Sequence, residues 1–222
     1  MKSLKQSRKR RRAATNPIER ANRKDDDTFI KEHLCPSTPA WTEWTCPKTQ
    51  DKLSLSLTRL GNMSAEDLEA CFRLVEETSR ADYESSSGGW NPGKKLTEMK
   101  SPELRYITVK DAAGSIRGFT SLVPTYEGGE PVVYCYEIHL RPELQGTGLG
   151  KTLMGFLESV AVNTPPVKKV MLTCFLSNQR ALSFYKKSGF EKDEISPEPR
   201  KLRSGKEFIP DYMIMSKAIG SR

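Results

Sequence analysis

A mixed α/β domain is what this sequence predicts, and three observations carry the prediction. Short runs of β-forming residues alternate with segments of helical spacing along the chain. The apolar content, 36% of 222 residues, suffices for one core. The run Val132-Val-Tyr-Cys-Tyr-Glu-Ile138 feeds a turn holding Gly146, Gly148 and Gly150, and a helical pattern starts within it at Leu149. A strand that enters a glycine-rich turn and leaves as a helix suits a phosphate, because the first N–H groups of a helix are unpaired and glycine lets the main chain approach closely.

The N-terminal part is set apart by charge. Residues 1–24 hold ten Lys or Arg against Glu19, a charge of +9, so against a total of +8 the other 198 residues sum to −1. A near-neutral body does not suit a domain that grips nucleic acid with its surface. The run Arg8-Lys-Arg-Arg-Arg12 describes a cationic arm with three readings: a nuclear-import signal, a tether to ribosomes or nucleic acid, or a disordered solvating tail. No apolar run reaches the ~18 residues of a membrane span, and no signal-peptide core follows the N-terminus, so a soluble intracellular protein without a membrane partner is expected. Five cysteines without C-x-x-C spacing and two histidines argue against disulfides or a bound metal and for reduced, mostly buried thiols.

Residues 1–52 read as the arm and an N-terminal extension, in which Trp41 and Trp44 mark either a docked turn or an ordered segment packed on the domain. The domain, residues 53–217, is expected to start with the alternating strand Leu53–Leu57. Ser64 and Asp67 cap a helix that turns Leu68, Cys71, Phe72 and Val75 to one face. Tyr83 to Pro92 contains Ser85-Ser-Ser-Gly-Gly-Trp90 and reads as a loop or broken helix; Tyr83 and Trp90 either contact substrate or sit at the edge of the core. Strands follow at Tyr106–Val109 and Gly118–Val123, and the turn Tyr126–Pro131 leads into the central strand. A helix Leu149–Val162 turns Leu149, Leu153, Phe156, Leu157 and Val160 inward and is stopped by Pro165-Pro166. A strand beginning at Lys168, a short helix after Asn178 and a last strand Tyr212–Met215 complete the order.

The glycine turn misses two common phosphate motifs. A P-loop, G-x-x-x-x-G-K-[ST], would need glycine at Gln145, and a dinucleotide fingerprint, G-x-G-x-x-G, would need it at Lys151 or Leu153. What remains, Gln145-x-x-Gly148-x-Gly150, resembles the acetyl-CoA loop of the GNAT superfamily of acyltransferases. About 30 residues on, Asn178-x-x-Ala-x-x-Phe-Tyr185-x-x-x-Gly-Phe190 is similar to the second half of that superfamily's cofactor site. Tyr134-Cys-Tyr-Glu137 and Lys168-Lys-Val-Met-Leu-Thr173 resemble the NatD-type N-terminal acetyltransferases selective for histones, with the likeness covering roughly residues 60 to 217.

The resemblance implies a mixed, mostly antiparallel sheet, splayed at the acetyl-CoA site and flanked by helices. It implies that Gly146, Thr147, Gly148, Leu149, Gly150 and Lys151, with Gln145, hold the pyrophosphate of acetyl-CoA. Ile138, His139 and Leu140 would lie along the pantetheine arm, and Asn178 would fix that arm through its amide. It further implies that the substrate is a histone tail beginning Ser-Gly-Arg-Gly, as in histone H4. Thr125, Tyr126 and Glu127 would then read the arginine with Glu130 near, while Thr173 and Tyr212 contact the peptide. Gly88 departs from the pattern, standing where the family tends to have tryptophan. A monomer of nucleus and cytoplasm is expected, with a ribosome or an import receptor as partner of the arm.

The attacking amine must be neutral. An α-amine is roughly a tenth neutral at pH 7, a lysine about one part in 2,500, so deprotonation costs about 1.4 kcal/mol for the first and over ~4 for the second. A weak base suffices for an α-amine, and Glu137, acting through a water, is the candidate; an ion pair with a nearby Lys or Arg is the alternative. Strict alternation would set Glu137 opposite Tyr134 and Tyr136, so a β-bulge is expected that lets all three serve one site, with the tyrosines holding substrate or relaying the proton. Tyr185 stands where many of the superfamily keep a tyrosine that protonates the departing thiolate. A lysine or small-amine acetyltransferase and a non-catalytic acyl-CoA-binding module remain as rival readings.

Overall fold

The computed structural model describes residues 16–37, 39–201, 203, 205 and 207–220; the basic run at Arg8–Arg12 lies outside the described residues. The chain opens with α1 (Pro17–Asn22) and α2 (Asp26–Phe29), capped by Asn16 and Asp25; α2 continues as a π-helical turn to Leu34. Then come β1 (Glu43–Thr45), β2 (Lys52–Arg59), α3 (Ala65–Ser85), α4 (Pro92–Met99), β3 (Arg105–Lys110), β4 (Ile116–Glu127) and β5 (Glu130–Leu140). After the glycine turn follow α5 (Leu149–Val162), β6 (Lys169–Phe175), α6 (Gln179–Lys187), β7 (Glu191–Lys192), β8 (Arg200–Lys201), β9 (Glu207–Phe208) and β10 (Tyr212–Ala218).

One sheet runs in the order β1-β2-β3-β4-β5-β6-β10-β7, and every neighbouring pair is antiparallel except β5 and β6. Alternation along β3 shows how it is covered: Ile107 and Val109 enter the core under α5, Tyr106 enters the core under α3. The parallel pair needs a crossover, and α5 supplies it.

Residues ahead of Leu53 belong to the same core. Phe29, Leu34 and Cys46 are buried among the residues under α5, and Trp41 meets Phe156 edge to face at 5.6 Å. The fully buried Arg105 fastens this segment to β3, with its guanidinium 4.0 Å from the Phe29 ring centroid and Nη1 donating to Asp26 Oδ1 at 2.8 Å. Asn22 Nδ2 donates to the Pro124 carbonyl at 2.9 Å, which ties α1 to β4.

Two local expectations need correction. The loop expected from Tyr83 begins three residues later, because the last turn of α3 is held by the Tyr83 ring packed on Phe175 (4.7 Å) and Trp90 (5.3 Å). A second helix, α4, stands where the sequence reading runs from loop into strand; Asn91 caps it, accepting from Lys94 N at 2.9 Å, and Pro92 opens it.

Candidate active site

β5 builds both halves of the site, and a register change divides them. Ser121 pairs with Glu137 but Leu122 pairs with Cys135, so Tyr136 is an extra residue on β5, the expected bulge. Before it, Val133 and Cys135 join the core under α5 while Tyr134 faces α3; after it, Glu137 takes the α3 face as well. One inserted residue thus brings Tyr134, Tyr136 and Glu137 to one side.

The other half is made of backbone. The parallel pairing of β5 with β6 ends at Cys135 and Leu172, and from Glu137 to Leu140 β5 has β4 on one edge and no strand on the other. Those free donors and acceptors open toward the turn at Gly146 (φ 72°) and Gly148 (φ 96°), a left-handed backbone that side-chain-bearing residues adopt at a cost. α5 starts from Gly148 without a side-chain cap, and the first closed turn is Thr152 N to Gly148 O at 3.1 Å, so the N–H groups of Leu149, Gly150 and Lys151 have no helix partner. Thr147 and Leu149 turn inward, Lys151 is exposed, and Gln145 Nε2 donates to Leu140 O at 3.0 Å. A Cβ on Gly150 would stand 3.4 Å from the Phe184 ring, so the two motifs come together at these residues. This cradle of free N–H groups at a helix start, beside an open strand edge, fits a pyrophosphate followed by an extended arm.

Glu137 is buried with both carboxylate oxygens engaged. Lys95 Nζ, from the unforeseen α4, donates to Oε1 at 2.6 Å, and His139 Nε2 lies 2.6 Å from Oε2. Burial by itself would raise the Glu137 pKa; the His139 hydrogen bond and the Lys95 charge outweigh it and hold the carboxyl below the usual range. Burial likewise works against the charge on Lys95, but Glu137, Tyr83 and Glu98 raise its pKa. The ion pair foreseen as the alternative for Glu137 therefore exists. The His139 side chain does not face the cofactor groove: it points under α3, with Nδ1 2.6 Å from Thr78 Oγ1.

Around the carboxylate lie the aromatics. Tyr134 and Tyr136 meet edge to face at 5.3 Å, Tyr136 being exposed, and Tyr134 Oη is 2.6 Å from Thr173 Oγ1 just beyond the last paired residues of β5 and β6. Burial pushes Tyr134 and Tyr83 up to about 12, and burial also raises Tyr185 well above the ordinary phenol value. Tyr185 is buried in the core under α5 and makes no side-chain hydrogen bond among the described residues. Trp90 stacks on Phe72 at 6.1 Å, and Lys95 Nζ sits 5.1 Å from the Tyr83 ring centroid. Tyr83, 5.3 Å from Trp90, thus packs on the lysine that holds Glu137.

At the lip, Tyr126 is exposed and its hydroxyl donates to Asn16 Oδ1 at 3.1 Å, while Thr125 and Glu127 lie at the end of β4. Glu127 has no ion-pair partner among the described residues, whereas Glu130 pairs with Lys169 at 3.1 Å and Lys168 at 3.7 Å. Tyr212 begins β10 opposite Phe175. Asn178 caps α6, accepting from Ala181 N at 3.0 Å, and gives Nδ2 to Asp82 at 3.1 Å, which leaves one amide hydrogen for an arm passing by. The sequence reading missed Lys95, Thr78 and Asp82; only the Asn91-Pro92 start of α4 carried a local signal.

The model of the acetyltransferase (GNAT) family matches residues 65–190. N-alpha-acetyltransferase 40 of Saccharomyces cerevisiae is 34% identical over 155 residues, 60% of this chain and 54% of the yeast protein, so the chain spans about half the length of that relative. Among solved structures, an acetyltransferase of Staphylococcus aureus aligns with TM-score 0.55 at 9% identity over 75% of this chain and all of that one. PaiA N-acetyltransferase from Thermoplasma acidophilum, in complex with coenzyme A, aligns with TM-score 0.50 at 19% identity over 74% and 99%. NAA60 of Arabidopsis thaliana with a bisubstrate analogue gives 0.52 at 12% over 76% and 100%. At such identities these structures show a shared fold, the one the sequence motifs implied.

Proposed function

The chain belongs to the GNAT family of acetyltransferases, and from that premise we propose that it moves acetyl from acetyl-CoA to the N-terminal α-amine of proteins, histone tails beginning Ser-Gly-Arg-Gly above all. The observation that carries the reading is the junction on β5: a strand edge and helix start made for a pyrophosphate-bearing thioester end, within a few residues, at a buried ionised carboxylate. Likeness to the yeast N-alpha-acetyltransferase supports the α-amine as acceptor, and the coenzyme A complex of PaiA supports the donor.

Acetyl-CoA supplies an activated acyl thioester when bound. Gly146 to Lys151 would hold its diphosphate, and the free edge of Ile138 to Leu140, with Asn178, its arm; a backbone N–H near Ile138 would polarise the thioester carbonyl. Glu137 takes the proton of the α-ammonium through a water, a transfer for which its low pKa suffices because the amine itself needs little help. Tyr134 and Tyr136 hold the first residues of the peptide and Tyr185 protonates the leaving thiolate. Tyr83, Trp90, Thr173 and Tyr212 frame the peptide, and Thr125, Tyr126 and Glu127 read its arginine, Glu127 being the lip carboxylate without a partner among the described residues. The basic run at Arg8–Arg12 supports work in nucleus and cytoplasm through an import receptor or ribosome.

The test is a peptide Ser-Gly-Arg-Gly-Lys, free or blocked at its N-terminus, with the acetylated nitrogen located by mass spectrometry. Acetyl on the α-amine of the free peptide and none on the blocked one is expected. Equal acetylation of the blocked peptide would replace the reading with a lysine acetyltransferase, and no transfer to any amine with a non-catalytic acyl-CoA-binding module.

A further inference from the structure

The carboxylate assigned as base is one link of a buried chain that crosses three elements. Lys95 of α4 and His139 of β5 hold the two oxygens of Glu137, each at 2.6 Å, and the far ring nitrogen, His139 Nδ1, is 2.6 Å from Thr78 Oγ1 of α3, itself 2.7 Å from the Leu74 carbonyl. Counting hydrogens limits the states this chain can take. A threonine hydroxyl has one proton. Aimed at Leu74 O, it leaves Oγ1 an acceptor, so Nδ1 carries hydrogen, and Nε2 and Oε2 at 2.6 Å must have a second proton between them. Turned to Nδ1, it makes His139 a neutral ring with hydrogen on Nε2, donating to the carboxylate. The two arrangements differ by one proton and the direction of one hydroxyl, and Leu74 O keeps its helix bond from Thr78 N in both.

We propose that His139 is a positioning residue that shares the ionisation of Glu137, so that the pair, with Thr78 as its rotor, holds or yields one proton without moving ring or backbone. The proposal rests on Glu137 being the base. With the extra proton held between Nε2 and Oε2, Glu137 has that proton on one oxygen and Lys95 on the other, and is a poor acceptor. With it gone, the neutral ring orients Oε2 and only Lys95 opposes the arriving proton. The charged and titratable groups around the pair are Lys95 and Glu98 of α4, Tyr83 of α3 and Tyr106 of β3, while β4 faces the imidazole with the Phe119 ring, 5.5 Å between centroids.

The experiment is kcat/KM for the Ser-Gly-Arg-Gly-Lys peptide against pH, for wild type, His139→Gln, Thr78→Val, Thr78→Ser and Glu137→Gln. Loss of the substrate's own proton gives every enzyme a limiting acidic slope of about one. Wild type and Thr78→Ser are expected to approach about two, His139→Gln and Thr78→Val about one, with His139→Gln losing about tenfold in kcat at pH 8 while acetyl-CoA binding by calorimetry is unchanged. A wild-type slope in His139→Gln overturns the proposal; should that variant fail to bind acetyl-CoA, the slope of Thr78→Val decides by the same criterion. Full turnover by Glu137→Gln removes the base reading itself, whereas an inactive Glu137→Gln beside an unchanged slope in His139→Gln removes only the pairing.

Discussion

The two halves of the site are built from different material. On the groove side the groups in play are main-chain: the unpaired edge of β5 and the free N–H groups at the start of α5, with Thr147 and Leu149 turned away into the protein. On the α3 side they are side-chain atoms of three elements, Thr78, Lys95, Glu137 and His139, linked at 2.6 Å from one to the next. A backbone-built site depends on conformation and is damaged by residues that forbid it. A side-chain network depends on charge balance and is damaged by removing any partner while the others stay buried.

That contrast orders the expected effects. Lys95→Met removes a charge that helps hold Glu137 ionised and leaves the His139 hydrogen bond to oppose burial, so the Glu137 pKa should rise. Activity should fall by about 10²-fold at pH 7 and recover as pH rises, with acetyl-CoA affinity intact, as read by a pH–rate profile and calorimetry. Wild-type activity in Lys95→Met at pH 7 would break the distinction. Gly148→Val puts a β-branched residue at φ 96° and should do the reverse: acetyl-CoA affinity weakens by about tenfold, with kcat at saturating donor within about twofold. The smallest effect belongs to Tyr134→Phe, which loses the bond to Thr173 and should lower the unfolding free energy by about 1 kcal/mol in denaturant titration.

The linked stability of Glu137 has a definite sign. Its folded pKa is depressed, so its ionisation contributes stability above the unfolded carboxylate range, and this is lost as pH falls through the folded value. Wild type should therefore lose stability relative to Glu137→Gln on acidification below about pH 4.5, as thermal melts at matched pH would read.

The same contrast explains what could be read from the amino acids alone. Gly148, Gly150, the strand before them and the Leu149–Val162 helix are local in sequence, and a local pattern suffices to foresee a turn and a free helix start. Even the bulge at Tyr136 was legible, since Tyr134, Tyr136 and Glu137 cannot share a face without one. Lys95 was not, because nothing in Gly93-Lys-Lys95 tells which lysine will turn inward until a carboxylate 42 residues away supplies the reason. The family resemblance places His139 along the groove, where its backbone edge lies; its ring follows the bulge and points the other way. Trp41 and Trp44 alone leave a docked turn and an ordered extension packed on the domain as equal readings; what fastens the extension is the buried Arg105, which no local pattern pairs with Asp26 and Phe29.

The central claim is that donor binding and proton removal are made by separate parts that meet on β5. The most direct measurement is a single-turnover assay of Glu137→Gln on the free Ser-Gly-Arg-Gly-Lys peptide, run beside acetyl-CoA calorimetry on the same preparation. Acetyl-CoA affinity equal to wild type with transfer slowed by about 10²-fold or more is the predicted result. Transfer at the wild-type rate, or loss of acetyl-CoA binding together with transfer, would contradict it.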